Sequence, residues 1–311
     1  MKMRFFLGVL SLALVAWTQK PSTDNSNDWN LSLSQPNSGA LFDYTFKKGY
    51  LSGRKLRVFI PSHYFKDQRK YDVVYFHDGQ MLFDSTTTWN HQSWDLVQAM
   101  ERYMPGKRVI LVGIDNQPEH RYAEFFPAPI FAQLPPSVQS SLMDSLWKGP
   151  PRFDSYSDAL LNEVFPLIED RWRVSRGGKH RSMVGSSMGG IVSLTFLLAH
   201  PKEVQTVIGL SLHLPLINSW QFKDRYKDDL SAAFNAYVSK RFSKIKGKTL
   251  YIDRGDQSLD AAYGPYFPSF EQALLEGMEQ NQTIVKCIPF SGHSERDWAK
   301  RIGPIMHDLI K

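Results

Sequence analysis

The segment Met183–Val192, MVGSSMGGIV, sets Ser187 between Gly185 and Gly189 in the spacing Gly-x-Ser-x-Gly, with Ser186 out of register. A serine at its ordinary pKa is a weak nucleophile and needs a base. The spacing suits a tight turn between a strand and a helix. The serine is held on a strained backbone, and small residues two before and two after clear the neighbouring strand and helix. A helix starting there aims its free N–H groups at developing negative charge. The base expected is His293, in the loop SGHSERDW that follows the last apolar run, TIVKCIPF. Of the other histidines, His77 reads as structural. His63, His91, His120, His180, His200, His213 and His307 read as surface or core-edge residues.

An acid must fix the imidazole tautomer and stabilise its charged form. With a serine on such an elbow, it follows a strand between serine and histidine. The segment KTLYIDRGDQSLDAAYGPY offers Asp253, Asp256 and Asp260, and residue order alone leaves the three open. An oxyanion hole needs two backbone N–H groups, expected from Met188, after the nucleophile, and from Gln80, after the strand-ending turn Asp78-Gly79.

These residues need a frame. Runs rich in Val and Ile (RKLRVFIP, DVVYFHDG, RVILVGID, SMVG, TVIGLSL, KTLYID, TIVKCIPF) read as strands. Between them 92–103, 156–170, 188–199, 226–241, 268–280 and 295–310 read as helices. The alternation predicts an α/β fold: a mostly parallel sheet with helices on both faces, joined by right-handed crossovers. Residues 116–154 break the rhythm with seven prolines and are expected to form a functional loop or lid without clear helix or strand.

The N-terminus, MKMRFFLGVLSLALVAWTQK, has a basic start and an apolar run too short for a comfortable membrane span. Residues 1–18 are expected to be a signal peptide and 19–40, rich in Ser, Asn, Asp, Gln and Pro, a flexible leader; the domain runs 41–311. Localisation is then periplasmic or secreted, with no stable membrane insertion after signal removal. The 311 residues carry a formal charge of +6, with bases scattered among acids, so nucleic acid is not an expected partner. The single cysteine, Cys287, cannot form an internal disulfide and is expected to be buried. No Cys/His cluster or phosphate loop calls for a metal or organic cofactor.

Taken in order, HDGQMLFD, GIDN…R…E, GSSMGG and SGHSE…W resemble the esterase-D-like α/β-hydrolases. That group includes enterochelin, feruloyl and acetylxylan esterases, S-formylglutathione hydrolase and the mycolyltransferases. The resemblance runs from about Phe42 to the C-terminus. It implies an α/β-hydrolase fold, nucleophile Ser187, base His293 and oxyanion donors Gln80 and Met188. It favours Asp260 as the acid, with Asp256 second. It also implies that Trp89, Trp94 and the 116–154 segment line or cover the substrate pocket. The expected activity is serine carboxylic-ester hydrolysis on a small-molecule or glycan ester, such as acylated carbohydrate or a siderophore ester. The alternatives are acyl transfer to a sugar and a non-catalytic binding protein of the same fold.

Overall fold

The Val- and Ile-rich runs pair into one sheet. A computed structural model describes residues 28–35, 38–147, 149–217 and 225–310. The expected signal peptide and the first part of the leader lie outside the described residues. The strands are β1 (Trp29–Gln35), β2 (Gly39–Thr45), β3 (Lys55–Pro61), β4 (Asp72–His77), β5 (Val109–Ile114), β6 (Arg181–Ser186), β7 (Thr206–Leu210), β8 (Thr249–Gly255) and β9 (Gln282–Ile288). Their order in the sheet is β1-β2-β3-β5-β4-β6-β7-β8-β9. From β5 to β9 every pairing is parallel. β1, β2 and β3 add an antiparallel edge.

That edge corrects the expected leader. Residues 29–35 and 39–40 belong to strands, and Trp29 packs on Tyr44 and Trp172. A polar composition did not prevent edge pairing, because backbone groups make the ladder and the side chains of this edge strand stay half-buried or exposed.

Every residue of β5, β6 and β7 is buried, as parallel strands covered on both faces must be. Side chains alternate between two core layers. Val73, Tyr75, Met183 and Val207 join one layer, and Val74, Phe76, Val184 and Ile208 join the other. Helices α1 (Leu96–Tyr103) and α11 (Glu295–Leu309) cover the second layer. On the first lies α7 (Met188–Ala199), apolar all round and buried from Met188 to Leu198. Helices α8 (Lys227–Phe242) and α10 (Phe267–Met278) pack there too.

The Pro-rich segment departs from expectation. It holds short helices α2 (Arg121–Phe125), α3 (Ala128–Phe131) and α4 (Pro136–Leu142), and α5 (Phe153–Ala159) begins at its end; a π turn then leads into α6 (Phe165–Arg171). Proline is tolerated at a helix start, so Pro129 and Pro136 sit in the first turns of α3 and α4 without preventing them. Phe125, Phe126, Ile130, Leu142 and Trp147 anchor the segment in the core. Cys287 is exposed, contrary to expectation, because β9 is an edge strand with mostly half-exposed side chains. Among the described residues no helix is long and apolar enough to cross a membrane.

Candidate active site

Parallel strands direct their C-terminal ends to one side of the sheet, and the loops there form the usual crevice. β6 runs into Ser187, which has φ 56° and ψ −126°, and α7 begins at the next residue. Few non-glycine residues take a positive φ, and it is stored here at a sharp strand-to-helix turn. The turn closes only without side chains: a Cβ on Gly185 would lie 2.2 Å from the backbone of Gly189. On Gly190 it would lie 2.9 Å from Leu212.

His293 follows β9. Its Nδ1 is 2.6 Å from Oδ1 of Asp260, which is fully buried in helix α9 (Ser258–Ala261) just after β8. Asp260 Oδ2 also accepts the Gly255 N–H at 2.7 Å and the Ser211 hydroxyl at 2.5 Å. Burial alone would raise the Asp260 carboxyl, but the hydrogen bonds from His293, Ser211 and Gly255 hold it below the ordinary carboxylate range. The ionised carboxylate can only accept, so His293 Nδ1 carries the proton and Nε2 is left with its lone pair. Asp256 is placed elsewhere. Its side chain accepts from Gln257, and its N–H bonds the Ser291 carbonyl.

The histidine loop is pinned from several sides. The His293 N–H donates to Ser258 Oγ at 3.0 Å, and Ser294 caps helix α11 by accepting the Asp297 N–H. A Cβ on Gly255 would lie 1.9 Å from the Ser291 carbonyl, so the strand end and the loop touch only because residue 255 is glycine. The His293 ring meets Trp298 at 5.1 Å and Tyr263 at 5.6 Å, both edge-on.

The Tyr263 phenol lies between the two halves of the site: its ring meets His293, and the nearby Ser187 hydroxyl offsets a little of the rise that burial imposes on it. The phenol is 2.6 Å from Nδ1 of His213, whose Nε2 is 2.8 Å from the Ile217 carbonyl. A carbonyl accepts only, so Nε2 holds the His213 proton and Tyr263 donates to Nδ1. Burial lowers His213 to about 3 and raises Tyr263 far above its ordinary value. Both stay neutral. The His213 N–H also reaches the Ser187 carbonyl at 3.4 Å. Sequence reasoning set His213 aside as a surface or core-edge residue. The available signal was its position just past the strand beside the nucleophile strand.

Gln80 and Met188 each lie in the first turn of a helix, where backbone N–H groups have no intrahelical acceptor. The Gln80 side chain accepts the Asn116 N–H at 3.1 Å. Asp78, at φ 58°, turns the chain ahead of Gln80 and takes a bidentate pair from Arg121 at 2.8 and 2.6 Å. Burial would raise Asp78, but Arg121 and Asn116 hold it low. A Cβ on Gly189 would lie 3.4 Å from Asp78 and His77, which sets this loop against the start of α7. Glu124, the last residue of the GIDN…R…E pattern, forms a buried pair with Arg54.

The tryptophans divide. Trp89 is 83% exposed, and its neighbour Asn90 donates to Glu295 at 2.7 Å, two residues past His293. Trp94 is buried between Phe76 and Trp298 and braces the ring that braces His293.

Residues 52–309 match the model of the family described as "Putative esterase". "Uncharacterized protein YbbA" of Bacillus subtilis (strain 168) is 28% identical over 160 residues, which cover 50% of this chain and 57% of that protein. The chain thus spans little more than half of that relative's length. The structure is similar to an IroE-like serine hydrolase from Shewanella oneidensis, with TM-score 0.56, 20% identity, and 82% of this chain and 74% of that one covered. It is also similar to a ferulic acid esterase, with TM-score 0.59, 16% identity, and 88% and 98% covered. A mostly parallel sheet, a strained Gly-x-Ser-x-Gly turn and a match across nearly all of the described chain place it together: the protein belongs to this esterase family and has the α/β-hydrolase fold.

Proposed function

We propose that the protein is an exported serine esterase working through Ser187, His293 and Asp260. The observation that carries this is the 2.6 Å contact of His293 Nδ1 with buried Asp260, on strand ends beside the Ser187 elbow. Ser187 gives its proton to His293 Nε2 and attacks the ester carbonyl. The Gln80 and Met188 N–H groups receive the oxyanion. His293 then protonates the departing alcohol and activates water to release the acid. General acid–base transfer of this kind contributes about 10²–10⁴-fold, and each oxyanion donor about 10²–10³-fold.

The apolar run at Phe5–Trp17 supports export, to the periplasm or the medium. For the substrate, exposed Trp89 beside the histidine loop favours an ester carrying a flat or sugar ring, as in acylated carbohydrate or an aryl siderophore. The similarity to a ferulic acid esterase supports the aryl form. The test is turnover of p-nitrophenyl acetate, butyrate and octanoate, methyl ferulate and acetylated xylan by wild type and Ser187→Ala. The expected result is turnover lost with Ser187→Ala and kept with Ser186→Ala. Turnover surviving in folded Ser187→Ala would overturn the proposal. Acylated sugar in place of free acid would mark a transferase.

A further inference from the structure

A buried polar cluster gathers at Asp260 Oδ2, the oxygen that does not meet His293, and the reaction as described makes no use of it. Its hub is Ser211, fully buried, at φ 47° just after β7. Ser211 Oγ is 2.5 Å from Asp260 Oδ2, 2.8 Å from Trp298 Nε1 and 2.9 Å from Arg301 Nη2. Indole and guanidinium groups only donate, so both occupy the hydroxyl's lone pairs. The single hydroxyl proton is then forced onto Asp260. Arg301 is itself locked. It grips Asp253 with Nε and Nη2 at 2.9 and 3.0 Å, and Nη1 reaches Ser291 Oγ at 2.8 Å. Asp253 in turn accepts the Ser211 N–H at 2.8 Å and the Tyr251 hydroxyl at 3.1 Å.

We infer that Ser211, oriented by the Arg301–Asp253 pair and Trp298, is a positioning residue that fixes the plane and the charge of the Asp260 carboxylate for His293. Every donor to Asp260 is thereby assigned: Ser211 and Gly255 to Oδ2, His293 to Oδ1. The same cluster joins three strand-end loops to helix α11, because Ser211 follows β7, Asp253 lies in β8, Ser291 follows β9 and Arg301 lies in the helix. Without the Ser211 proton more negative charge faces His293, which makes its imidazolium easier to form.

This inference rests on the proposed Ser187, His293 and Asp260 roles, and two readouts separate its failure from theirs. The variants are Ser211→Gly, which suits the positive φ, Ser211→Ala, and Arg301→Lys, which keeps the charge but loses the fork. The first readout needs no substrate: proton NMR titration of His293 in wild type and variants, following the Nδ1–H resonance. The second is the pH profile of p-nitrophenyl acetate hydrolysis. In the Ser211 variants the His293 midpoint and the acid limb of kcat/KM should both move up by about half a pH unit or more, with kcat falling about tenfold and KM nearly unchanged. Arg301→Lys should fall between wild type and the Ser211 variants. Folded variants with the wild-type His293 midpoint and acid limb would overturn the inference, whatever the activity. Wild type without ester turnover would instead count against the proposed function.

Discussion

At the scale of single residues, His293 depends on Asp260 for its tautomer. Asp260→Asn offers Nδ1 either an amide N–H or an amide oxygen, and the first would force the ring proton onto Nε2. The expected result is a fall in kcat on the order of 10⁴-fold with the fold kept, measured as ester turnover beside a thermal melt. A fall of less than tenfold would mean that Asp260 is not the acid. The Gly-x-Ser-x-Gly spacing and the loop after the last strand picked out Ser187 and His293. Order alone left three aspartates open, because it does not say which turn folds back on the histidine. The fold settles their places: Asp253 pairs with Arg301, Asp256 turns away, and Asp260 meets His293. His213, Tyr263, Ser211 and Arg301 were missed, since each contributes through contacts between segments far apart in the chain.

At the scale of elements, the loop after β4 carries Gln80 two residues past Asp78. Arg121, at the start of α2 in the Pro-rich segment, holds it with two hydrogen bonds. Arg121→Ala would leave Asp78 largely buried without its counter-charge. That should cost about 3 kcal/mol of stability and lower kcat, read by urea unfolding and ester turnover. Stability within about 0.5 kcal/mol of wild type would show that Asp78 finds water or another partner. The seven strands β3 to β9 were legible from their Val- and Ile-rich runs, and the long helices from their spacing. The first two strands were not: TDNSNDWNLSLSQPNSG, which holds β1, has the polar composition of a leader, and only the pairing of β1 with β2, and of β2 with β3, makes a sheet edge there. The short helices of 116–154 hid behind prolines that sit at or near their starts.

At the scale of the whole molecule, two buried histidines tie stability to pH. Burial lowers His77 to about 4 and His213 to about 3. In the unfolded chain both titrate near 6.5. Below that value the unfolded state takes up protons that the native state refuses, so stability falls as pH falls. Between pH 6.5 and 4.5 the two together should cost roughly 4 kcal/mol. Asp260 adds to this at lower pH: its folded value is depressed, so its contribution is present above the ordinary carboxylate value and is lost as pH falls through the folded one. Urea unfolding at pH 7.5, 6.5, 5.5 and 4.5 measures the slope, and a flat profile down to 4.5 would contradict neutral, buried His77 and His213.

The central claim is that Ser187 is the nucleophile, made reactive by His293. Treating the protein with a fluorophosphonate and mapping the adduct by peptide mass spectrometry tests it without any choice of substrate. The account predicts one phosphonyl group on Ser187, formed in wild type, slowed by orders of magnitude in His293→Ala and absent in Ser187→Ala. An adduct on Ser186, or labelling of Ser187 at the same rate without His293, would contradict it.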